Sequence, residues 1–380
     1  MTDIVIPASV TSIGTEAFKD SGLADITFAS GSQLIVIGDK AFSGCTSLAG
    51  SLAIPVSLTT IGREAFKETK LIGITITSGS QLTTIRDAAF KSVSTLVGNL
   101  AIPASLATIG NEAFMGTKLI GVAIASGSQL TTIGDAAFKS VSTLVGNLAI
   151  PASLTTIGNE AFMDTRLTGI TIASGSQLTT IGDYAFSGCT SIAGDLAIPA
   201  SVISIGNGAF TGLSDLSEIT FASGSQLTTI GELAFYSCYS LGNITIPASV
   251  ITIGQLAFMG CSNISEITIA SGSQLATIGE EAFSYVTYLA TINMNCMTPP
   301  TLSGTRIFTG VYSNLTINVP SSATGAYNTV IGNNSKGWVH NLTVPVSLTA
   351  GGTVYLSGFQ GMPPAGEFGA PGYVTISATL

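Results

Sequence analysis

Residues 150–201 read IPASLTTIGNEAFMDTRLTGITIASGSQLTTIGDYAFSGCTSIAGDLAIPAS, and this stretch decides the fold. Ile157-Gly158 precedes Ala161-Phe162, and 24 residues on the same spacing returns as Ile181-Gly182 and Ala185-Phe186. Working outward, the isoleucine recurs at Ile13, Ile37, Ile61, Ile85, Ile109, Ile133, Ile205, Ile230, Ile253 and Ile278. A phenylalanine always follows five residues later, from Phe18 to Phe283. The twelve units are 24 residues apart through the first nine, then 25, 23 and 25. A fixed period of this length is the signature of a solenoid. A solenoid offers a long surface of repeated side chains, so binding is its default trade and catalysis the exception.

The units alternate between two forms, giving a 48-residue super-repeat, and Ser-Gly-Ser-Gln recurs six times between Ser30 and Ser271. Segments such as Ile170-Thr171-Ile172 and Leu148-Ala149-Ile150 alternate apolar and small residues, which predicts short strands with one buried face. Prolines from Pro7 to Pro247 close alternate strands, because proline removes a ladder donor. Thr-Thr-Ile is a second extended piece. The glycine after the isoleucine, present in eleven of twelve units with Arg86 as the exception, is expected to turn the chain. Asp or Asn then appears at Asp39, Asp87, Asn111, Asp135, Asn159, Asp183 and Asn207. Placed before x-Ala-Phe, it reads as the N-cap of a single helical or 3-10 turn. The phenylalanine column is the expected internal spine, each ring stacking on the next.

Composition bounds the function. Charged residues make up only 9% of 380, hydrophobic residues 46%, and glycines number 44. This suits a β-rich solenoid with small exposed side chains, and it does not suit disorder. A net charge of −9 argues against nucleic acid and against docking on anionic lipid. No apolar run approaches the roughly 18 residues of a membrane span, so no direct membrane insertion is expected. Residues 1–10 read as the middle of a repeat, not as a signal peptide. The expectation is therefore a chain that begins inside a longer protein, with its targeting segment outside this sequence. Cys45, Cys189, Cys238 and Cys261 each lie eight residues after their unit's isoleucine, where other units carry Ser, Thr, Val or Leu. That column reads as small buried packing, hence free core thiols. A Cys238–Cys261 bridge between neighbouring coils stays open at this point, since the strand spacing of about 4.8 Å falls within disulfide range.

The pattern I-P-x-S-V/L-x-x-I-G-x-x-A-F-x-G-C-x-x-L, clearest at Val202 to Leu216 and Ser249 to Ile264, resembles the BspA-type leucine-rich repeat family. The resemblance implies a mainly β repeat solenoid: a right-handed, curved superhelix with a parallel sheet on its concave side. Members of that family are mostly surface or secreted proteins of anaerobic bacteria and some protozoa, associated with adhesion to host matrix proteins, other bacteria or epithelium. The expected organisation is a twelve-unit solenoid over residues 1–294, a cap over 295–345 and a small β module over 346–380. The cap is similar to the closing segment of bacterial members, on Pro299-Pro300, Phe308, Val319-Pro320, Tyr327 and Gly337-Trp338.

Chemistry has little to stand on. His340 is the lone histidine, so a Ser-His-Asp or Cys-His arrangement could be built only there, outside the solenoid, and a zinc site lacks clustered Cys or His. No phosphate-binding glycine loop appears. The acidic column ahead of Ala-Phe reads as capping plus a solvated stripe, with calcium the alternative; no catalytic residue, metal ligand or cofactor is expected. If the strand isoleucines point inward, the outward residues include Thr27, Thr75, Thr171, Thr220, Thr245 and Thr268, with alanines between them, and these are the candidate ligand-binding face. Hot-spot chemistry favours Trp, Tyr and Arg, so Tyr312, Tyr327 and Trp338 form a rival C-terminal site. The expected function is a non-enzymatic, monomeric adhesion module at the cell surface or secreted, whose partners are host or bacterial surface proteins or glycans. A stalk projecting another domain, or a glycan binder using the C-terminal module, is the alternative.

Overall fold

The computed structural model describes residues 3–304, 306–311, 315–332, 354–356 and 374–379. The chain forms two compact units, Met1–Ile192 and Ala193–Leu380, and each is a parallel β-solenoid with very little helix. Two kinds of strand build every coil. The Thr-Thr-Ile piece supplies a two-residue strand, from Ser12–Ile13 to Thr180–Ile181 in the first unit and from Ser204–Ile205 to Thr301–Leu302 in the second. Within each unit these short strands form a continuous parallel ladder, in register isoleucine on isoleucine. Threonine suits this position because its hydroxyl reaches the preceding coil: Thr83 and Thr179 Oγ1 donate to the carbonyls of Thr59 and Thr155, each at 3.1 Å.

The longer strands behave differently. In the first unit they pair only in twos, as Ser51–Ile54 with Gly73–Ile76, Val97–Ile102 with Lys118–Ile124, and Val145–Ile150 with Arg166–Ile172. Ala193–Ile198 and Asp215–Phe221 pair likewise in the second unit. From Ile244–Ile246 onward the strands join one six-stranded sheet that takes in Glu266–Ile269, Thr291–Met294, Leu315–Pro320 and Val374–Thr379, with Val354–Leu356 antiparallel at its edge. The uninterrupted ladder in the first unit is therefore the Thr-Thr-Ile strand and not the Ile-Thr-Ile strand.

The turn before each phenylalanine is not helical. Its amides alternate in direction. Ala17, Lys19 and Ser21 N–H close turns on Gly14, Glu16 and Phe18 carbonyls, while Glu16, Phe18 and Asp20 N–H donate to Asp39, Ala41 and Ser43 of the next coil. The alternation requires a left-handed residue at every fourth position: Glu16 and Asp20 have φ of 56° and 55°, and Glu112, Ala136, Ser140 and Glu160 repeat it. A helical turn would keep its N–H groups inside the segment; here half of them stitch coils together. The Asp/Asn column serves the same end. Its side chains are not N-caps of their own turn. Asp87, Asn111, Asp135 and Asn159 Oδ1 accept the backbone N–H of Asn111, Asp135, Asn159 and Asp183, at 2.7 to 2.9 Å and 24 residues away.

The glycine after each isoleucine does not turn the chain through a positive φ. A Cβ on Gly38 would lie 2.8 Å from the Gly14 carbonyl carbon, and one on Gly158 would lie 2.5 Å from Asp135 N, so its task is close approach of coils. Arg86 holds that position in one coil and sends its guanidinium to Asp39, 3.3 Å away and 47 residues earlier. The core is the expected spine. Rings from Phe18 to Phe186 stack at 5.1 to 5.3 Å in the first unit. Rings from Phe210 to Phe308 stack at 5.2 to 6.0 Å in the second. Burial of the rings from Phe42 onward, together with the stacked pairs, joins nearest-neighbour coils. Leu302 and Phe308 extend both columns one coil beyond Ile278 and Phe283, so the first part of the segment expected as a cap is a further coil. Thr324–Gly332 is the longest helix among the described residues.

Candidate strand-face binding surface

The candidate face is built by alternation along the longer strands. Leu100 and Ile102, or Leu148 and Ile150, are buried, so Ala101 and Ala149 between them point outward. Thr27, Thr75, Thr171, Thr220 and Thr245 are exposed on that face, and Thr268 is half-buried. Register brings them into rows: Ala53 lies opposite Thr75, Ala149 opposite Thr171, and Ala197 opposite Thr220. Thr171 Oγ1 donates to Asn147 Oδ1 at 3.2 Å. The strand pairs interrupt these rows in the first unit, so the six threonines do not form one continuous ladder.

In the second unit the face grows more polar. Thr245, Thr268, Asn293 and Asn318 follow one another across adjacent strands. Asn293 Nδ2 donates to Glu266 Oε1 at 2.6 Å and Asn318 Nδ2 to Asn293 Oδ1 at 2.8 Å. Thr220 and Thr245 also border an open cleft of about 420 Å³ with Glu218, Phe221, Asn243 and Pro247.

The sequence also missed a set of residues on the outward face of the first unit. Ile72, Val97, Ile120 and Val145 are exposed in successive coils, and Lys70, Lys118 and Arg166 stand beside them. The signal was present as a 48-residue recurrence (Lys70 and Lys118, Val97 and Val145, Ile72 and Ile120), but a strand reading assigns β-branched residues to packing.

Of the rival C-terminal candidates, Tyr327 alone lies among the described residues. Tyr327 is buried at 1% exposure on the helix Thr324–Gly332. Burial, with Cys296 beside it, pushes its phenol well above the ordinary tyrosine value. A side chain so enclosed offers no ring face to a ligand. Tyr312, Trp338 and His340 lie outside the described residues. Exposed tyrosines occur instead at Tyr239, Tyr285 and Tyr288, positions absent from the sequence candidates.

The cysteines are core groups. All five are free and buried, including Cys238 and Cys261. Cys45, Cys189, Cys238 and Cys261 Sγ each donate to the carbonyl of the preceding coil's phenylalanine, at 2.9 to 3.3 Å. Burial pushes the Cys189 thiol up to about 11, and Cys261 is raised in the same direction by the same cause. Both are neutral thiols at pH 7 and poor nucleophiles.

The acidic edge of the first unit is a groove of about 530 Å³ whose lining includes Lys91, Glu112, Asp135, Asn159 and Glu160. Lys91 pairs with Glu112 at 2.6 Å and Lys139 with Glu160 at 2.5 Å. Among the described residues no three Asp, Glu, His or Cys gather as metal ligands, and no helix is long and apolar enough to cross a membrane.

Comparison with known proteins agrees with this architecture. The model of the BspA type leucine rich repeat region, in six copies, matches residues 1–119, 27–145, 59–193 and 180–309. A leucine-rich repeat protein from Bacteroides ovatus is 29% identical over 77% of this chain and 78% of its own, with a TM-score of 0.54. A leucine rich cell surface protein from Faecalibacterium prausnitzii is 26% identical over 80% of this chain and 89% of its own, with a TM-score of 0.43. No protein of curated function matches the chain. With the repeat matched from residue 1 to residue 309, the chain belongs to the BspA-type leucine-rich repeat family.

Proposed function

We propose that this protein is a non-enzymatic binding module, displayed at a cell surface or secreted, that engages protein or glycan ligands through the outward face of its longer strands. One observation carries the reading. Thr27, Thr75, Thr171, Thr220 and Thr245 are exposed in rows whose intervening side chains, Ala53, Ala101, Ala123, Ala149 and Ala197, are alanines. Small side chains leave the sheet accessible to a broad partner, and the repeat multiplies each weak contact along the body. The buried thiols are poor nucleophiles and give no support to catalysis through cysteine.

The test is binding of the full chain to immobilised matrix proteins, epithelial cells and bacterial cells. A Thr75→Arg/Thr171→Arg variant serves as the probe of the face. Loss of at least tenfold in apparent affinity, with the fold retained by circular dichroism, is the expected result. Binding indifferent to both substitutions would remove the strand face as the site, and silence of the wild-type chain on every surface would favour a stalk.

A further inference from the structure

We propose that the outward face of the first unit docks an acidic amphipathic α-helix of a partner protein. This deepens the strand-face reading and rests on it, because it names the partner's chemistry. Lys70, Lys118 and Arg166 occupy one structural position in three coils. Their backbone N–H groups donate to Leu48, Leu96 and Leu144 carbonyls at 2.8 to 2.9 Å. All three side chains are exposed, and none takes part in an ion pair among the described residues. Beside them runs an apolar ridge. Ile72, Val97, Ile120 and Val145 are 47% to 50% exposed in four consecutive coils. Val97 N–H donates to Ile72 carbonyl at 3.2 Å, Lys118 lies opposite Val97, and Arg166 lies opposite Val145. Elsewhere the same face carries threonine and alanine, so the β-fold itself does not require large aliphatic groups there.

The spacing selects the partner. Coils advance by no more than the 5.2 to 5.3 Å between stacked rings of this region, and not less than the roughly 4.8 Å of strand spacing. An α-helix lying along the coil axis has a pitch of about 5.4 Å, so its apolar residues at i, i+4, i+7 and i+11 fall on successive ridge residues. The cations stand two coils apart, about 10 Å, and seven helical residues span about 10.5 Å. Carboxylates seven residues apart on one flank therefore meet the cations in turn. An extended strand repeats its faces every ~6.8 Å and falls out of step after one contact. An anionic bilayer is disfavoured, because residues 1–192 carry 13 acidic against 10 basic side chains and the attraction is local rather than net.

The test uses the full chain and a synthetic helix of about twenty residues, with leucines in the i, i+4, i+7, i+11 pattern and glutamates seven apart on the adjoining flank. Fluorescence anisotropy should report salt-sensitive binding. Lys70→Glu/Lys118→Glu/Arg166→Glu should weaken it by roughly thirtyfold or more, and exchanging the peptide's glutamates for lysines should restore it. Ile72→Asn/Ile120→Asn should weaken it about tenfold, in line with truncation of apolar anchors. Three results would overturn the proposal: no binding of the glutamate helix to the folded wild type, equal binding by the charge-reversed variant, or capture of phosphatidylserine vesicles in place of the peptide. Surface-ligand binding measured in parallel separates the two levels. If it survives charge reversal while the peptide does not bind, only the helix proposal fails; if the wild type binds no surface at all, the reading beneath it fails.

Discussion

Replacing Asp135 by alanine should loosen a residue 24 positions away. Asp135 Oδ1 accepts the N–H of Asn159 at 2.7 Å, while the N–H of Asp135 itself is held by Asn111 Oδ1 at 2.8 Å. Truncation therefore removes one hydrogen bond, and it removes it from the next coil. Both residues are exposed, so the freed N–H reaches water and the loss lies near the net value of a bond, about 0.5–1.5 kcal/mol, rather than near the desolvation penalty of a buried orphan. The corresponding rise in local opening is roughly two- to twelvefold. Hydrogen exchange at the Asn159 amide, read by NMR, is the assay, because it reports the opening of one coil. Asp135→Asn keeps an acceptor oxygen and should leave that rate within about twofold, as the natural Asn111 and Asn159 do for their own neighbours. Faster exchange confined to residues 136–139, with Asn159 unchanged, would refute the inter-coil ladder and restore a local cap.

Three further outcomes follow from the same geometry. Ser140 sits at φ 58° where other coils carry Gly44, Gly116 and Gly188. Ser140→Gly should raise stability by roughly 0.5–1 kcal/mol, the left-handed strain relieved less the entropy glycine loses on folding; a fall in urea midpoint would contradict this. Asn159→Asp places a carboxylate between Asp135 and Asp183, about 4.8 Å from each, and each contact costs about 0.9 kcal/mol at the dielectric of water. The loss should shrink as salt is raised from about 0.01 M to about 1 M, where the screening length falls to about 3 Å; a loss equal at both salt levels would point to sterics. Cys189 has its folded value raised from 9.0 to about 11 by burial. The folded state then holds a proton that the unfolded chain releases, so stability is unaffected below pH 9 and falls between pH 9 and 11, by an order of magnitude of 2–3 kcal/mol. Cys189→Val should flatten that part of the stability curve, and an unchanged alkaline slope would reject the cause.

Much of the fold was legible because one residue type does one job per coil. Phe42, Phe90 and Phe138 are large, apolar and strictly periodic, and nothing but a stacked core accommodates them. The column of Cys45 and Cys189 tolerates Thr69 and Val93, and that tolerance announced burial correctly. The turn was misread because Asp before x-Ala-Phe has the local signature of an N-cap, whereas the acceptor's partner lies one coil away and is invisible to a local window. The glycine after isoleucine was misread for a similar reason: Gly158 is required because coil stacking puts Asp135 and Gly134 backbone atoms 2.5 Å from where a Cβ would sit. At the candidate site, alternation placed Thr75 and Thr171 outward, and they are exposed. Tyr327 failed as a surface candidate because residue type alone does not distinguish a buried ring from a presented one. Val97 and Ile120 escaped notice because β-branched residues are the ordinary material of strands.

Placement of the binding surface can be tested most directly by masking it. All five native cysteines are buried, so a bulky maleimide can be attached selectively at Ala149→Cys on the strand face or at Ser140→Cys on the turn edge, both exposed positions. Adhesion of the labelled chains to cells and matrix proteins should be lost when position 149 is blocked and kept when position 140 is blocked. Adhesion that survives at 149 and disappears at 140 would place the working surface on the other edge of the coils and contradict the account.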